Sequence, residues 1–506
     1  MLISPPADVV QQPNYALRDS RWWSWAGYAV LVLGLLLRVV VWAQQRSIVL
    51  DEANLIRNYV ERSYGQLFQS LDYEQYAPPL FSVAVKACIQ AFGNNELSVR
   101  LFPLLCSMAT LVLFGRLVRR WLPPAFACLA LGFVAFGYVF LDYATECKQY
   151  ASDGFVALGL LEMAHRVARR PLTIPVALGV AGLGMAAVWL SMPAVFVLAG
   201  IGLWWLARRW RAAGSPDRRA TALVVGIGAA WAASFLVYFF WLLQASAKLS
   251  NLQTFHREYF LAFPPRSVAD LHLLGSQLQL MADRAIGKTV LAVALAAVGF
   301  AVGAWQAIRR LEEPFWLFLL PIGACLAASA LQYYSLIPRL TLFFLPLVVL
   351  LVFRGLAALA TRRLPYLAVL LLAVVALAGQ QRLRNLFVPF YSDYAEVRTG
   401  LEYIARQQGP GEVVFMNYNV APIARYYLQH HAQPLPLQAV VLQQARVSKA
   451  DIIEEDIQRL RRQGTRRVWL LYDRRDDSLS RFAATQGRIL KRYDFQRGYV
   501  LLLEFS

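Results

Sequence analysis

Residues 24–52, SWAGYAVLVLGLLLRVVVWAQQRSIVLDE, decide how the rest of the chain is read. Residues 24–43 form an apolar run of the length a helix needs to cross the hydrocarbon core of a bilayer. The run follows a polar, proline-containing N-terminus and has no small-residue cleavage site, so it reads as an uncleaved span rather than a signal peptide. Just beyond it stand two adjacent carboxylates, Asp51 and Glu52. Acids at a membrane boundary are unfavourable unless solvated, paired or metal-bound. They can simply open a surface helix, whose N-terminus favours carboxylates. Alternatively, Asp51 acts as a general base or holds a divalent cation.

Working outward, similar runs recur near residues 98–118, 122–141, 150–167, 172–189, 191–207, 221–243, 288–308, 314–332, 338–357 and 364–380, about eleven spans in all. The 506 residues are 58% hydrophobic and 16% charged. Soluble domains carry about a quarter charged residues, so a soluble protein is excluded. Arginines cluster in alternate loops: Arg116, Arg119 and Arg120; Arg166, Arg169 and Arg170; Arg208, Arg209, Arg211, Arg218 and Arg219; Arg309 and Arg310; Arg362 and Arg363. Because such clusters stay cytoplasmic, the N-terminus is placed inside and the C-terminal region outside. The net charge of +19 belongs to that bias, and nucleic acid is not among the expected partners. Residues 79–92 are apolar but too short to span and carry Lys86. They are expected as an amphipathic helix on the outer leaflet.

Two outer loops follow from this topology. In residues 44–97, Leu55, Ile56, Tyr59, Val60 and Tyr64 recur at helical spacing, which predicts a helix on the membrane surface. Residues 244–287 hold Phe255, Tyr259, Phe260 and Phe263 around Pro264 and Pro265. These are interfacial aromatics or a lid over a lipid-linked substrate. From residue 390 the apolar runs shorten to strand length at 413–417, 468–473, 489–495 and 499–505, alternating with helical segments near 394–407, 421–430 and 450–463. The expected architecture is therefore a polytopic α-helical membrane domain (1–389) and a small extracytoplasmic α/β domain (390–506). No glycine-rich phosphate loop follows the first strand of the latter. The cysteines Cys88, Cys106, Cys128, Cys147 and Cys325 show no paired spacing for disulfides or zinc.

Three features share the outer face: Asp51-Glu52, the segment Tyr143-Ala144-Thr145-Glu146-Cys147-Lys148-Gln149-Tyr150, and Arg339 in LIPRLTLFFLP. The second is read either as tyrosine anchoring with a Glu–Lys surface pair or as part of a site. Arg339 runs against the positive-inside bias, and it either snorkels to head groups or binds a phosphate. Together they supply a base for a hydroxyl and cations for a departing phosphate.

The order of these segments resembles the membrane glycosyltransferases of the GT-C fold, nearest to bacterial enzymes similar to protein O-mannosyltransferases and lipid A aminoarabinose transferases. The resemblance is carried by the acidic pair, by Gln75-Tyr76-Ala77-Pro78-Pro79-Leu80, and by Asn95 through Pro103. It continues in Glu146-Cys147-Lys148-Gln149-Tyr150, with Lys148 where arginine is commoner, and in Pro338-Arg339-Leu340 through Pro346, with leucine where tyrosine is usual. It covers roughly the first 350 residues. It implies a polyprenyl-phosphate sugar donor, a lipid, glycan or protein acceptor, and a place in a bacterial inner membrane. Asp51 is implied as the catalytic base or the organiser of the acceptor hydroxyl, and Glu52 as its support or a second ligand to a cation. Tyr76, Glu146, Lys148, Tyr150 and Arg339 are implied as substrate contacts, with Lys148 and Arg339 at the phosphate. Some members of the fold need a divalent cation (Mg or Mn) and others do not, so a metal at Asp51 stays open. A transporter or an envelope-assembly protein is the alternative reading; the sequence shows neither repeated halves nor a set of mid-span acids.

Overall fold

The computed structural model describes residues 20–211, 218–244, 256, 258–285, 290–309, 313–360, 396–443, 452–473 and 477–506. The expected span 364–380, its flanking Arg362 and Arg363, and Phe255 lie outside these residues. The first apolar run folds as helix α1 (Ser20–Ala43). It is followed in the first outer loop by α2 (Leu50–Glu61), α3 (Pro79–Phe92) and the single turn α4 (Glu96–Val99). Then come α5 (Leu101–Trp121), α6 (Pro124–Phe136), α7 (Tyr138–Asp142), α8 (Tyr150–Val167), α9 (Ile174–Leu190), α10 (Ala194–Arg211) and α11 (Arg218–Tyr238). The helical part closes with α12 (Val268–Ala285), α13 (Val290–Arg309), α14 (Glu313–Ala330) and α15 (Leu345–Leu359).

Among the described residues, four helices are long and apolar enough to cross a membrane: Arg21–Ala43, Leu101–Trp121, Arg218–Leu243 and Val290–Arg309. A fifth arises if Pro124–Phe136 and Tyr138–Thr145, bent by 50°, form one span. The sequence reads residues 122–141 as one uninterrupted helix; the structure breaks it at Gly137, whose ψ is 124°. A Cβ there would stand 2.5 Å from the Phe133 carbonyl oxygen. The break frees the last carbonyls of α6, and the Arg38 guanidinium of α1 takes two of them, Val134 O at 3.1 Å and Ala135 O at 3.0 Å. Helices α13 and α15 cross so closely that a Cβ on Gly355 would lie 1.9 Å from the Gly299 carbonyl oxygen. Gly299 and Gly303 form the small-residue stripe that permits such an approach between apolar helices.

The loop after α1 folds into helices where the periodicity predicts them. Leu55, Ile56 and Tyr59 of α2, however, are buried in one cluster with Val397, Leu401 and Tyr427 of the C-terminal unit instead of facing a membrane surface. The loop's parts are tied to one another. Lys86 of α3 donates to the carbonyls of Tyr59 (2.6 Å) and Arg62 (2.8 Å), satisfying the open C-terminus of α2. Asn95 caps α4 by accepting from the amides of Leu97 and Ser98.

The C-terminal unit contains α16 (Val397–Gln407), β1 (Val413–Met416), α17 (Ala421–Arg425), β2 (Val440–Leu442), α18 (Ile452–Arg462), β3 (Arg467–Tyr472), α19 (Ser478–Gln486), β4 (Gly487–Phe495) and β5 (Gly498–Phe505). The strand order is β2-β1-β3-β5-β4, with β1 parallel to β2 and β3, and β5 antiparallel to β3 and β4. Alternate residues face opposite ways. Leu470 and Leu501 pack under α18 and α19, while Trp469, Leu471 and Leu502 pack against α16, α17 and the first outer loop. Strand β2 and helix α19 were not expected from the sequence; β2 is only three residues long.

This second face fuses the unit to the loop carrying Asp51. Ile48 N donates to the Tyr427 hydroxyl (2.9 Å), Arg398 N to Ser47 Oγ (2.9 Å), and Ser47 N to the Glu396 carboxylate (3.3 Å). Buried Glu96 accepts from Tyr427 (3.0 Å) and Arg398 (2.9 Å), and its Oε2 meets His431 Nε2 at 3.1 Å. The hydrogen bond to Glu96 raises the His431 imidazole above its ordinary range, against the opposing effect of burial. The sign follows: the contribution is complete below the unfolded histidine value of about 6.5 and is lost as pH rises through the higher folded value. Limited proteolysis of the C-terminal unit is therefore expected to quicken as pH rises above the unfolded histidine value of about 6.5, and His431→Ala should abolish that step. A pH-independent rate in the wild type would disprove the coupling.

Candidate active site

Asp51 lies in the first turn of α2 and Arg339 in a short 3-10 turn after Pro338. Their side chains face one another, Arg339 Nη1 to Asp51 Oδ2 at 3.8 Å. That separation is an ion pair but too long for a hydrogen bond. The Asp51 side chain stays 43% exposed, so its oxygens can reach another group. The Arg339 guanidinium lies 6.0 Å from the centre of the Tyr150 ring, which in turn packs edge-on against Tyr143 at 5.2 Å. These aromatic rings wall one side of the gap.

Glu52, one residue on, has the opposite environment. It is 1% exposed and grips Arg100 through two hydrogen bonds, Oε2–Nη2 2.6 Å and Oε1–Nε 2.9 Å. The same carboxylate accepts from the Cys147 amide (2.6 Å) and the Val49 amide (3.2 Å). Burial pushes this carboxyl up, but Arg100 outweighs it and holds it below the ordinary range. Arg100 also donates to the carbonyls of Arg46 (2.5 Å) and Ser47 (3.0 Å). Glu52 and Arg100 thus fasten the stretch of backbone before Asp51 to the Glu146–Tyr150 segment.

Glu146 is buried in that segment. Burial, reinforced by the charges of Glu52 and Asp142, pushes its carboxyl up to about 8, despite Arg46 and Lys148 nearby. Arg46 is itself held by Asp142 Oδ1 at 2.7 Å. Lys148 donates to Gln75 Oε1 at 2.8 Å, which ties the segment to Gln75-Tyr76-Ala77. The Tyr76 hydroxyl is hydrogen-bonded to that of Tyr238 on α11. The structure therefore brings Asp51, Glu146, Tyr150 and Arg339 to one gap, while Lys148 and Tyr76 engage the loop beside it.

Sequence reasoning missed three neighbours. The expected topology places Arg46 and Arg100 on the same side as Arg339, so the bias argument that singled out Arg339 applies to them equally. His256 lies in the second outer loop; burial and, second, the Arg339 charge hold its imidazole below the ordinary range. No periodicity marks it. Among the described residues, no three His, Cys, Asp or Glu side chains gather to hold a metal ion. Asp51 faces a guanidinium and Glu52 has its oxygens filled, so the described residues do not form a metal cradle around Asp51.

Neither a protein-family model nor a curated protein matches the sequence. Solved structures do resemble it. ArnT from Cupriavidus metallidurans is 14% identical, with 94% of this chain and 98% of that one covered at a TM-score of 0.37. The same enzyme bound to undecaprenyl phosphate aligns over 93% and 97% of the two chains at the same identity and score. Archaeal oligosaccharyltransferase AglB from Archaeoglobus fulgidus, in complex with an inhibitory peptide and a dolichol-phosphate, is 13% identical over 88% of this chain and 69% of that one, at a TM-score of 0.49. Likeness to ArnT and AglB at these scores is loose, and the chemistry below rests on residues of this chain.

Proposed function

We propose that this protein transfers a sugar from a polyprenyl-phosphate donor to a hydroxyl acceptor at the outer face of a bacterial inner membrane, with inversion. The observation that carries the reading is the contrast between adjacent acids: Glu52 is sealed by Arg100, whereas Asp51 is open and stands 3.8 Å from a guanidinium. In this mechanism the acceptor O–H gives its proton to Asp51 as its oxygen attacks the anomeric carbon. The bond from that carbon to the phosphate oxygen breaks, and its electron pair leaves on the phosphate, which Arg339 meets with Lys148 behind it. Phosphate is already a good leaving group, so no separate acid is required. Glu52 positions Asp51. Tyr150 and Tyr76 flank the sugar and the loop, and the acceptor is a lipid, glycan or protein.

The proposal includes the topology of about eleven spans, with residues 1–389 as the membrane domain and 390–506 outside the cytoplasm. The hydrogen bonds from Ser47 and Ile48 to the C-terminal unit support that placement, since both residues follow the first span. The test is direct. Membranes with and without the chain are incubated with polyprenyl-phosphate sugars, and release of polyprenyl phosphate is followed with acceptor labelling. Release that does not depend on the chain, across donors and acceptors, rejects the reading.

Glu146 adds a pH signature. A carboxyl near 8 is neutral at pH 7 and donates a hydrogen bond toward the sugar or phosphate; above that value it adds a negative charge beside the leaving phosphate. Turnover is expected to fall as pH rises through about 8. Glu146→Gln, which keeps a donor without the titration, should flatten that alkaline limb. The stability term has the same sign: it is complete below the unfolded glutamate value of about 4.3 and is lost as pH rises through the folded one. An unchanged limb in Glu146→Gln would remove this assignment.

A further inference from the structure

The first span carries a cation that the proposed mechanism does not use. Arg38 is 1% exposed. Its Nε donates to Ser107 Oγ (2.9 Å), Nη1 to the carbonyls of Gly34 (2.9 Å) and Ala135 (3.0 Å), and Nη2 to Val134 O (3.1 Å). These bonds satisfy four of its five N–H groups. No carboxylate among the described residues pairs with it. The C-terminus of α6 offers about half a negative charge, so about half a positive charge stays unneutralised inside the membrane domain. Burying charge without a counter-charge is costly, and intramembrane cations mark ligand paths.

Arg38 lines a cavity with Ser107, Thr110, Tyr143, Tyr150 and Gly154. The cavity has room for about two waters, which is also the size of a carboxylate. It shares its Tyr143–Tyr150 wall with the Asp51–Arg339 gap. The Ser107 hydroxyl accepts from Arg38, which leaves its proton to donate. We infer that this cavity is an anion subsite that receives the carboxylate of an acidic sugar on the donor, with Arg38 and Ser107 as its contacts. The inference rests on the transferase reading and narrows its substrate class. The sugar ring lies in the gap above, and its carboxylate reaches down to supply the counter-charge that Arg38 lacks.

The test uses the full chain in nanodiscs with two probes, undecaprenyl-phosphate-linked glucuronic acid and undecaprenyl-phosphate-linked glucose. The wild type is expected to favour the acidic donor by about tenfold or more in kcat/KM, the worth of a hydrogen bond to a charged group. Arg38→Gln should bring that ratio close to one. Because Arg38→Gln also disturbs the α6 terminus, a second variant fills the cavity and leaves those bonds intact. A Cβ at Gly154 would stand 3.5 Å from Thr110 Cγ2, an ordinary contact, so Gly154→Ala should fold and still lower the ratio several-fold. A ratio unchanged in both variants, or a wild-type preference for glucose, overturns the inference and leaves water as the cavity's occupant. Equal weakening of both donors and of free undecaprenyl phosphate in Arg38→Gln assigns the cation to the carrier phosphate and also overturns it. If the wild type turns over neither donor, the transferase reading is judged by the survey across donors and acceptors, and the subsite is judged on its own. Binding then decides the subsite: tighter capture of the glucuronic acid lipid, lost in Arg38→Gln, upholds it, and equal capture of both lipids rejects it.

Discussion

Asp51→Asn is expected to lower sugar transfer by about a hundredfold to ten-thousandfold, the usual worth of a positioned general base. The loss should fall on kcat, because asparagine keeps the size and polarity of the side chain and removes only the capacity to take a proton. Folding should be untouched. The Asp51–Arg339 pair is 3.8 Å long with Asp51 side chain 43% exposed, and ion pairs of that kind contribute about 0–1 kcal/mol. A thermal unfolding curve superimposable on the wild type, alongside near-complete loss of turnover, would separate chemistry from stability. Arg339→Gln should instead raise KM for the lipid donor and weaken capture of polyprenyl phosphate. Wild-type turnover in Asp51→Asn would end the case for a base at this position.

The next residue is expected to behave in the reverse way. Glu52→Gln or Arg100→Met should each destabilise the protein by about 3–5 kcal/mol, because each leaves its partner charged and buried. Glu52 also accepts from the Cys147 amide, so its loss unfastens two loops together. Activity should fall with stability rather than ahead of it. The combined Glu52→Gln/Arg100→Met variant should recover part of the loss, since no lone charge then remains, and the double-mutant cycle reads the coupling. Unfolding midpoints in detergent provide the measurement. Single variants within about 0.5 kcal/mol of wild type would show that the pair does not hold the loop.

These two neighbours illustrate how far the sequence could be read. Hydropathy and helical periodicity are local signals. They located α1, α3, α8 and α9 to within a few residues and α2 as a helix, but not the C-terminal unit as the partner of α2's apolar face. Strands β1, β3, β4 and β5 were also legible, because each is a short strand-length run between turns. The sequence offered Asp51 and Glu52 as equals; only the fold separates them, by bringing Arg100 onto one and Arg339 toward the other. The break at Gly137 was invisible because an apolar run does not report where a backbone leaves the helix. Least legible was the union of the C-terminal unit with the first outer loop. Glu96 and His431 are 335 positions apart, and no periodicity links residues at that distance. Arg38 was hidden by its setting, one charge within a run whose average stays apolar.

The attachment of the C-terminal unit has a mechanical consequence. Its grips on Ser47 and Ile48 lie just upstream of Asp51 on the same stretch of backbone, with α2 beginning at Leu50. A load that tilts the sheet, such as the docking of a bulky acceptor or a neighbouring envelope protein, is transmitted to Asp51 with almost no slack. The unit is a lever whose short arm ends at Asp51.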